Sequence, residues 1–231
     1  MQSFNKIVLC TLCFSTLFLA SCDSLLNQQP YGQFTENQMD EKSVEGLLAS
    51  AYAGLEAHFF GNNEAFAGPS TNWIFDVRSD DALKGGGGIS MEGNIHQLEI
   101  SNIFSDNVSV LDKWKNNYFA ISRVHRAMLA IQNAESITNK DQYLGELKTL
   151  RAYYYFDLVR IFRYLPYFTE NDDASTTDNK TYTQTDIYRF IQKDLREAYR
   201  MMGETEPTPG RFNKYVAAAL MAKTCAYTQD W

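Results

Sequence analysis

The sequence predicts an all-α domain of paired helices, interrupted by one long irregular loop. Apolar residues recur at steps of three and four in five separate stretches, the spacing of one helix face. Proline, glycine and Thr/Asn/Asp-rich segments punctuate these stretches as helix stops and turns. Only residues 59–110 break the pattern, with scattered glycines and little periodicity.

The first stripe is Val44, Leu47, Leu48, Ala51, Tyr52 and Leu55, with Ser43 as the expected N-cap. Residues 59–110 follow, holding Gly61, Gly68, Pro69, Gly93 and the run Gly85 to Gly88. A loop of that length inside a compact domain is usually functional or disordered, and its aromatic and charged residues favour function. The second stripe is Leu111, Trp114, Tyr118, Ile121, His125, Met128 and Leu129. The third is Leu147, Leu150, Tyr154, Leu158 and Ile161, stopped by Pro166. Residues 169–185 read as a polar loop, after which Asp186 can cap a helix carrying Ile187, Phe190, Ile191, Leu195, Ala198 and Met202. Gly203 is the expected stop, and Pro207, Pro209 and Gly210 make a turn. The last helix runs from about Lys214 to Tyr227, and its Ala217, Ala218, Ala219, Ala222 and Ala226 allow close approach of a neighbour. Two helix pairs result, about 112–163 and 186–228, a tetratricopeptide-like arrangement without the repeat consensus.

The N-terminus points to export. Lys6 precedes Ile7 to Ala20, an uncharged run too short to span a bilayer and suited to a secretory signal. It ends in Leu19-Ala20-Ser21-Cys22, which resembles a bacterial lipoprotein box, in which the cysteine becomes the lipidated first residue. The expected organisation is a lipoprotein signal at 1–21, a tether at 22–43 and the helical domain at 44–231. The Cys10/Cys13 pair then falls in the removed segment, and Cys225 has no intrachain disulfide partner. Removal of residues 1–21 takes one lysine and no acid, leaving 20 basic against 28 acidic side chains, a net −8. That balance argues against nucleic acid and against electrostatic adhesion to an anionic membrane. With 14 Tyr and 15 Phe the chain has ample core-forming residues, so disorder is excluded as its general state.

Four segments together resemble the SusD/RagB family of outer-membrane nutrient-binding lipoproteins. They are Cys22-Asp23-Ser24-Leu25-Leu26 with Gln29-Pro30; Trp114-Lys115-Asn116-Asn117-Tyr118 through Arg126-Ala127; Gly145-Glu146 with Leu150 to Arg160 and Leu165-Pro166; and Ile187-Tyr188, Asp194-Leu195 and Gly210 to Lys214, with the Ala-rich helix and Asp230-Trp231. The resemblance implies a tetratricopeptide-like helical domain. It implies an outer-membrane, surface-exposed, lipid-anchored protein that captures a glycan or oligopeptide. It also implies a partner, a TonB-dependent transporter of the SusC type, to which the nutrient is delivered. Family members continue beyond such a stretch with a large variable region, so this sequence is expected to be the N-terminal helical half. That half alone is expected to be marginally stable and a weak binder.

Candidate chemistry is sparse. His58, His96 and His125 are far apart and lack the spacing of a helical metal site, so no metal or other cofactor is expected. Asp172, Asp173 and Asp178 lack an EF-hand pattern, and the Gly85–Gly88 run lacks a phosphate-loop ending. Ser70, Asp76 and His58 supply triad residue types without any fixed geometry. Adjacent Asp80 and Asp81 seldom converge on one glycosidic bond. The expectation is therefore binding without catalysis, with a surface glycoside hydrolase or a non-binding scaffold subunit as the alternatives. Trp73 and Phe75 are the ligand candidates, because aromatic faces match the C–H face of a sugar, with pinning of the loop to the helices as the alternative role for these rings; Arg78, Asp80 and Asp81 match the sugar's hydroxyl edge. The rings of Tyr153 to Phe156 point in different directions on a helix and are expected to pack. Asp157 and Arg160 can pair at i,i+3, and Arg151 and Arg160 can equally bridge to neighbouring helices.

Overall fold

The computed structural model describes residues 40–55, 73–88, 90–91, 93–172 and 180–230. All lie in one compact unit, Glu36–Trp231. Cys22, the tether up to residue 39, and His58, Ser70, Asp173 and Asp178 lie outside the described residues. The described part holds seven α-helices and one two-stranded ladder. They are α1 Glu41–Tyr52, α2 Trp73–Asp76, α3 Gly93–Glu99, α4 Val108–Asn133, α5 Lys140–Val159, β1 Tyr164–Leu165, β2 Tyr182–Thr183, α6 Gln184–Met201 and α7 Lys214–Thr228. The all-α expectation holds.

Helix α5 is the centre. It packs α4 on one side and α6 on the other, α7 packs on α6, and α1 lies against α4. Of its 20 residues, 14 are buried, so it lacks the one-sided stripe of a surface helix. Burying polar groups on such a helix is costly unless each is paired. Three stations on α5 meet that need. Glu146 accepts from Arg211 Nη2 (2.8 Å) in the turn before α7 and from the Tyr52 hydroxyl (2.7 Å) at the end of α1. Arg151 donates to both oxygens of Asp194 on α6 (2.7 and 2.8 Å) and to Glu170. Asp157 accepts from Lys113 Nζ (2.8 Å) and Asn117 Nδ2 (2.9 Å), both on α4. Each station ties α5 to a different neighbour, and together they fix register where apolar packing alone would tolerate sliding.

The aromatic run of α5 disperses as expected. The Tyr154 hydroxyl donates to Ala51 O (2.7 Å) in α1. The Tyr155 hydroxyl accepts from Phe168 N (2.9 Å). Phe156 meets Tyr227 of α7 edge-on at 5.2 Å. Tyr155, Tyr167 and Phe190 form a ladder, with centroids 4.6 and 4.4 Å apart, that closes the α5–α6 end beside β1 and β2.

Several boundaries differ from the sequence reading. Helix α1 is capped by Asp40, whose side chain accepts from Ser43 N, so Ser43 lies inside the first turn instead of capping it. Helix α4 begins at Val108 behind Asn107. The α6 cap is Thr183, and Asp186 is the third residue of a capping box with it. Met202, not Gly203, is the α6 C-cap. Along α4 the buried face is Ala120, Ile121, Val124, Ala127, Met128 and Ile131; Leu111 and Leu129 of the expected stripe are exposed at its margins. Among the described residues, the long insertion carries α2, α3 and the first turn of α4.

Candidate functional site

The insertion is built against one end of α4 and α5. Ile74, Val77 and Leu98 form a small apolar cluster of their own, with Phe75, Ile95, Val110 and Ile161 packed around it. A four-residue helix has no stability of its own, so this cluster is what holds α2. After α2 the chain turns tightly. Arg78 N donates to Phe75 O (3.2 Å), Ser79 N and Oγ donate to Asp76 O (3.0 and 2.6 Å), and Asp81 N donates to Ser79 Oγ (3.2 Å).

That turn displays Arg78, Asp80 and Asp81 to solvent within four positions. The three polar candidates are thus brought together on one exposed turn. Phe75 is half-buried and lies under the Arg160 guanidinium, 4.4 Å from ring centroid to Cζ. Its ring is committed at least in part to holding the turn. Trp73 opens α2, and its side chain lies outside the described residues.

Below the turn, the glycine run wraps around a single cation. Lys84 Nζ donates to the carbonyls of Gly85 (3.2 Å), Gly88 (2.8 Å) and Met91 (2.9 Å). Gly85 and Gly86 have φ of 70° and 84°, a backbone that side chains disfavour, and the turn they allow helps bring carbonyls three positions apart onto one ammonium. Lys84 N also donates to Glu99 Oε1 (3.2 Å), and Glu99 Oε2 pairs with His96 Nδ1 (3.0 Å). That His96 hydrogen bond is the main cause holding the Glu99 carboxyl below its ordinary pKa. Asn107 Nδ2 bridges Asn94 O and Gln97 Oε1 (both 2.9 Å) while Oδ1 caps α4 at Val110 N (3.2 Å), so one side chain ties α3 to α4.

Sequence reasoning missed these organisers. An Asn ahead of the Val108 stretch is a legible N-cap signal; Lys84 beside four glycines gave none, since its partners are backbone carbonyls.

Apolar side chains flank the turn along the same insertion. Leu83 is 83% exposed and Phe104 57%, with Met91, Ile100 and Val108 also open. Among the described residues, no group of three His, Cys, Asp or Glu side chains is placed to hold a metal. A polar cleft of about 400 Å³ lies between α5 and α6, lined by Lys148, Tyr167, Glu170, Lys193, Asp194 and Glu197. Its ring ladder is spent on internal stacking, and its Arg151 is held by Asp194 and Glu170.

The helical scaffold thus displays a short charged turn among open apolar side chains. The chain belongs to the SusD-like family, described as starch-binding and associating with the outer membrane, whose model matches residues 26–225. It is 25% identical over 238 residues to SusD-like protein P38 of Formosa agariphila, aligning along 100% of this chain and 44% of that protein. Among solved structures, it resembles surface glycan-binding protein A from Bacteroides fluxus, at 28% identity and a TM-score of 0.70, over 83% of this chain and 41% of that one. A laminarin-binding SusD-like protein matches at 25% identity and a TM-score of 0.71, over 82% of this chain and 40% of that one. The chain therefore spans less than half the length of these relatives. The family and these neighbours are described by carbohydrate binding and not by catalysis.

Proposed function

We propose that this chain is the helical part of an outer-membrane lipoprotein that captures a glycan at the cell surface and delivers it to a SusC-like TonB-dependent transporter. Residues 1–21 act as its export signal and Cys22 carries the lipid. The turn bearing Arg78, Asp80 and Asp81, with Trp73 and Phe75 of α2, contributes contacts to the glycan. The observation that carries this reading is the match over nearly the whole chain to SusD-like proteins, two of them named for binding glycans, at 25% and 28% identity. The exposed turn supports it further. Its one guanidinium and two carboxylates offer both donors and acceptors to vicinal hydroxyls, and charge-assisted hydrogen bonds are the stronger kind.

The test is calorimetric titration of the whole natural protein with laminarihexaose, followed by analysis of the sugar recovered. Saturable binding with intact hexaose supports the reading. Shortened products would overturn binding without catalysis. Silence towards laminarihexaose and a panel of other glycans, with heat on adding oligopeptides, would move the ligand class from sugar to peptide. Co-purification of the lipoprotein with a TonB-dependent transporter from detergent-solubilised membranes tests the delivery role.

A further inference from the structure

Arg160 stands at the C-cap of α5, where the scaffold meets the insertion. Its guanidinium lies between two aromatic rings, 4.4 Å from the centroid of Phe75 on α2 and 4.8 Å from that of Phe156 on α5. Its Nη2 donates to Asp157 Oδ1 at 2.7 Å. The other oxygen of Asp157 is taken by Lys113 Nζ at 2.8 Å and Asn117 Nδ2 at 2.9 Å. Asp157 is fully buried and Lys113 is 1% exposed. Lys113 and Arg160 thus both pair with this one carboxylate. The Arg160 Nε also donates to Phe156 O at 3.4 Å, and the two aromatic faces stabilise the charge further. One of the two faces belongs to the scaffold and the other to the candidate site, 85 positions earlier in sequence. Among the described residues, the other side-chain contacts that hold α2 are apolar, and apolar contact is non-directional and fixes no angle.

We propose that Arg160 is a positioning residue that locks the Phe75 ring, and through it the Trp73–Asp81 segment, in the orientation the glycan meets. In its functional arm this rests on the glycan-binding reading above. Lysine could not replace it, because a point-like ammonium cannot offer a planar face to the rings while it donates to Asp157.

The experiment uses the whole protein and three variants: Arg160→Lys, Phe75→Leu and Phe75→Tyr. Amide hydrogen exchange of residues 73–81 is measured without ligand, and laminarihexaose affinity separately. Phe75→Leu alters only the insertion side and leaves the buried Lys113–Asp157 pair in place, so it reports even if Arg160→Lys destabilises the fold. Arg160→Lys and Phe75→Leu each speed exchange in 73–81 by about fivefold, the size of one cation–π contact at a partly exposed site. They weaken laminarihexaose binding by a similar factor, while exchange in α5 and α6 is unchanged. Phe75→Tyr, which keeps the ring, exchanges in 73–81 like wild type. The double variant Arg160→Lys/Phe75→Leu loses no more than either single change, because both break one contact. Unchanged exchange in 73–81 in both single variants, or additive losses in the double, would overturn the proposal. If the wild-type protein ignores laminarihexaose, the glycan reading is what fails, and the exchange arm still decides the positioning role.

Discussion

His125 shows how far a single residue's environment departs from its sequence context. In sequence it looks like a polar interruption in the α4 stripe. In the fold its Nε2 is buried without a hydrogen-bond partner. Burial first, and then the Arg151 guanidinium, push its pKa down to about 4; Glu170 and Asp172 oppose that shift without cancelling it. The unfolded chain takes up this proton near pH 6.5 and the folded chain only near 4, so folding excludes it between the two. Stability from this group is complete above pH 6.5 and falls by about 3 kcal/mol as pH drops to 4. Glu170 adds a second acid-side loss. Burial opposes its ionisation, but Arg151 outweighs that and brings it to about 2, so its contribution is present above pH 4.5 and drains away towards pH 2. Urea midpoints measured from pH 8 to about 3 should be flat above roughly 6.5 and then decline. In His125→Gln the limb between about 6.5 and 4.5 should flatten while the lower limb stays. A His125→Gln profile that kept the full upper limb would assign that limb to another group.

At the level of elements, apolar periodicity is enough to find α1, α4, α5, α6 and α7, because each must bury a face. It fails at the starts of α1, α4 and α6 for one physical reason: their first turns project from the core. Asp40, Asn107 and Thr183 cap turns whose residues Glu41, Ser109 and Thr185 are half-buried or exposed, so the apolar period begins only later. Side-chain chemistry three residues apart, Thr183 with Asp186, marks the true start better than the stripe does. Helix α2 and the Arg160–Phe75 contact are not legible, since neither a four-residue helix nor a contact across 85 positions leaves a periodic trace. The candidate turn is legible only as a cluster of suitable residue types. Closeness of elements is likewise hidden until the fold is known. Gly54, just after α1, sits so near α4 and α5 that an added Cβ would lie 2.7 Å from Ala120 Cβ and 2.8 Å from the Tyr154 hydroxyl. The same hydroxyl donates to Ala51 O, so it cannot retreat without losing a buried hydrogen bond. Gly54→Ala should therefore destabilise by about 1–3 kcal/mol, the range for overpacking, instead of gaining from reduced chain entropy. Chemical denaturation of the variant checks this, and a stability equal to or above wild type would show that α1 can shift away.

For the whole molecule, the question is what holds it at a membrane. Among the described residues no helix is long and apolar enough to cross one. With residues 1–21 removed, the chain carries 20 basic and 28 acidic side chains, so an anionic surface repels it on balance. The three charged stations along α5 do not alter that, because Glu146, Arg151 and Asp157 are buried and spent on Arg211, Asp194 and Lys113. Outer-membrane association is the property in the family's description, and a lipidated N-terminal cysteine can supply it. Lipid on Cys22 is its source in the function proposed here. A single acyl chain gives only marginal binding, and two or more give stable anchoring. The expected outcome is specific. Wild-type protein should pellet with membranes and stay there through washes in high salt, since no electrostatic attraction is being screened. Detergent should release it. Cys22→Ser should appear in the soluble fraction, or as unprocessed precursor still carrying residues 1–21. Fractionation followed by mass analysis of the N-terminal peptide distinguishes these products. Membrane partitioning of Cys22→Ser equal to wild type, with the precursor correctly cleaved, would rule the anchor out and leave a partner protein as the tether.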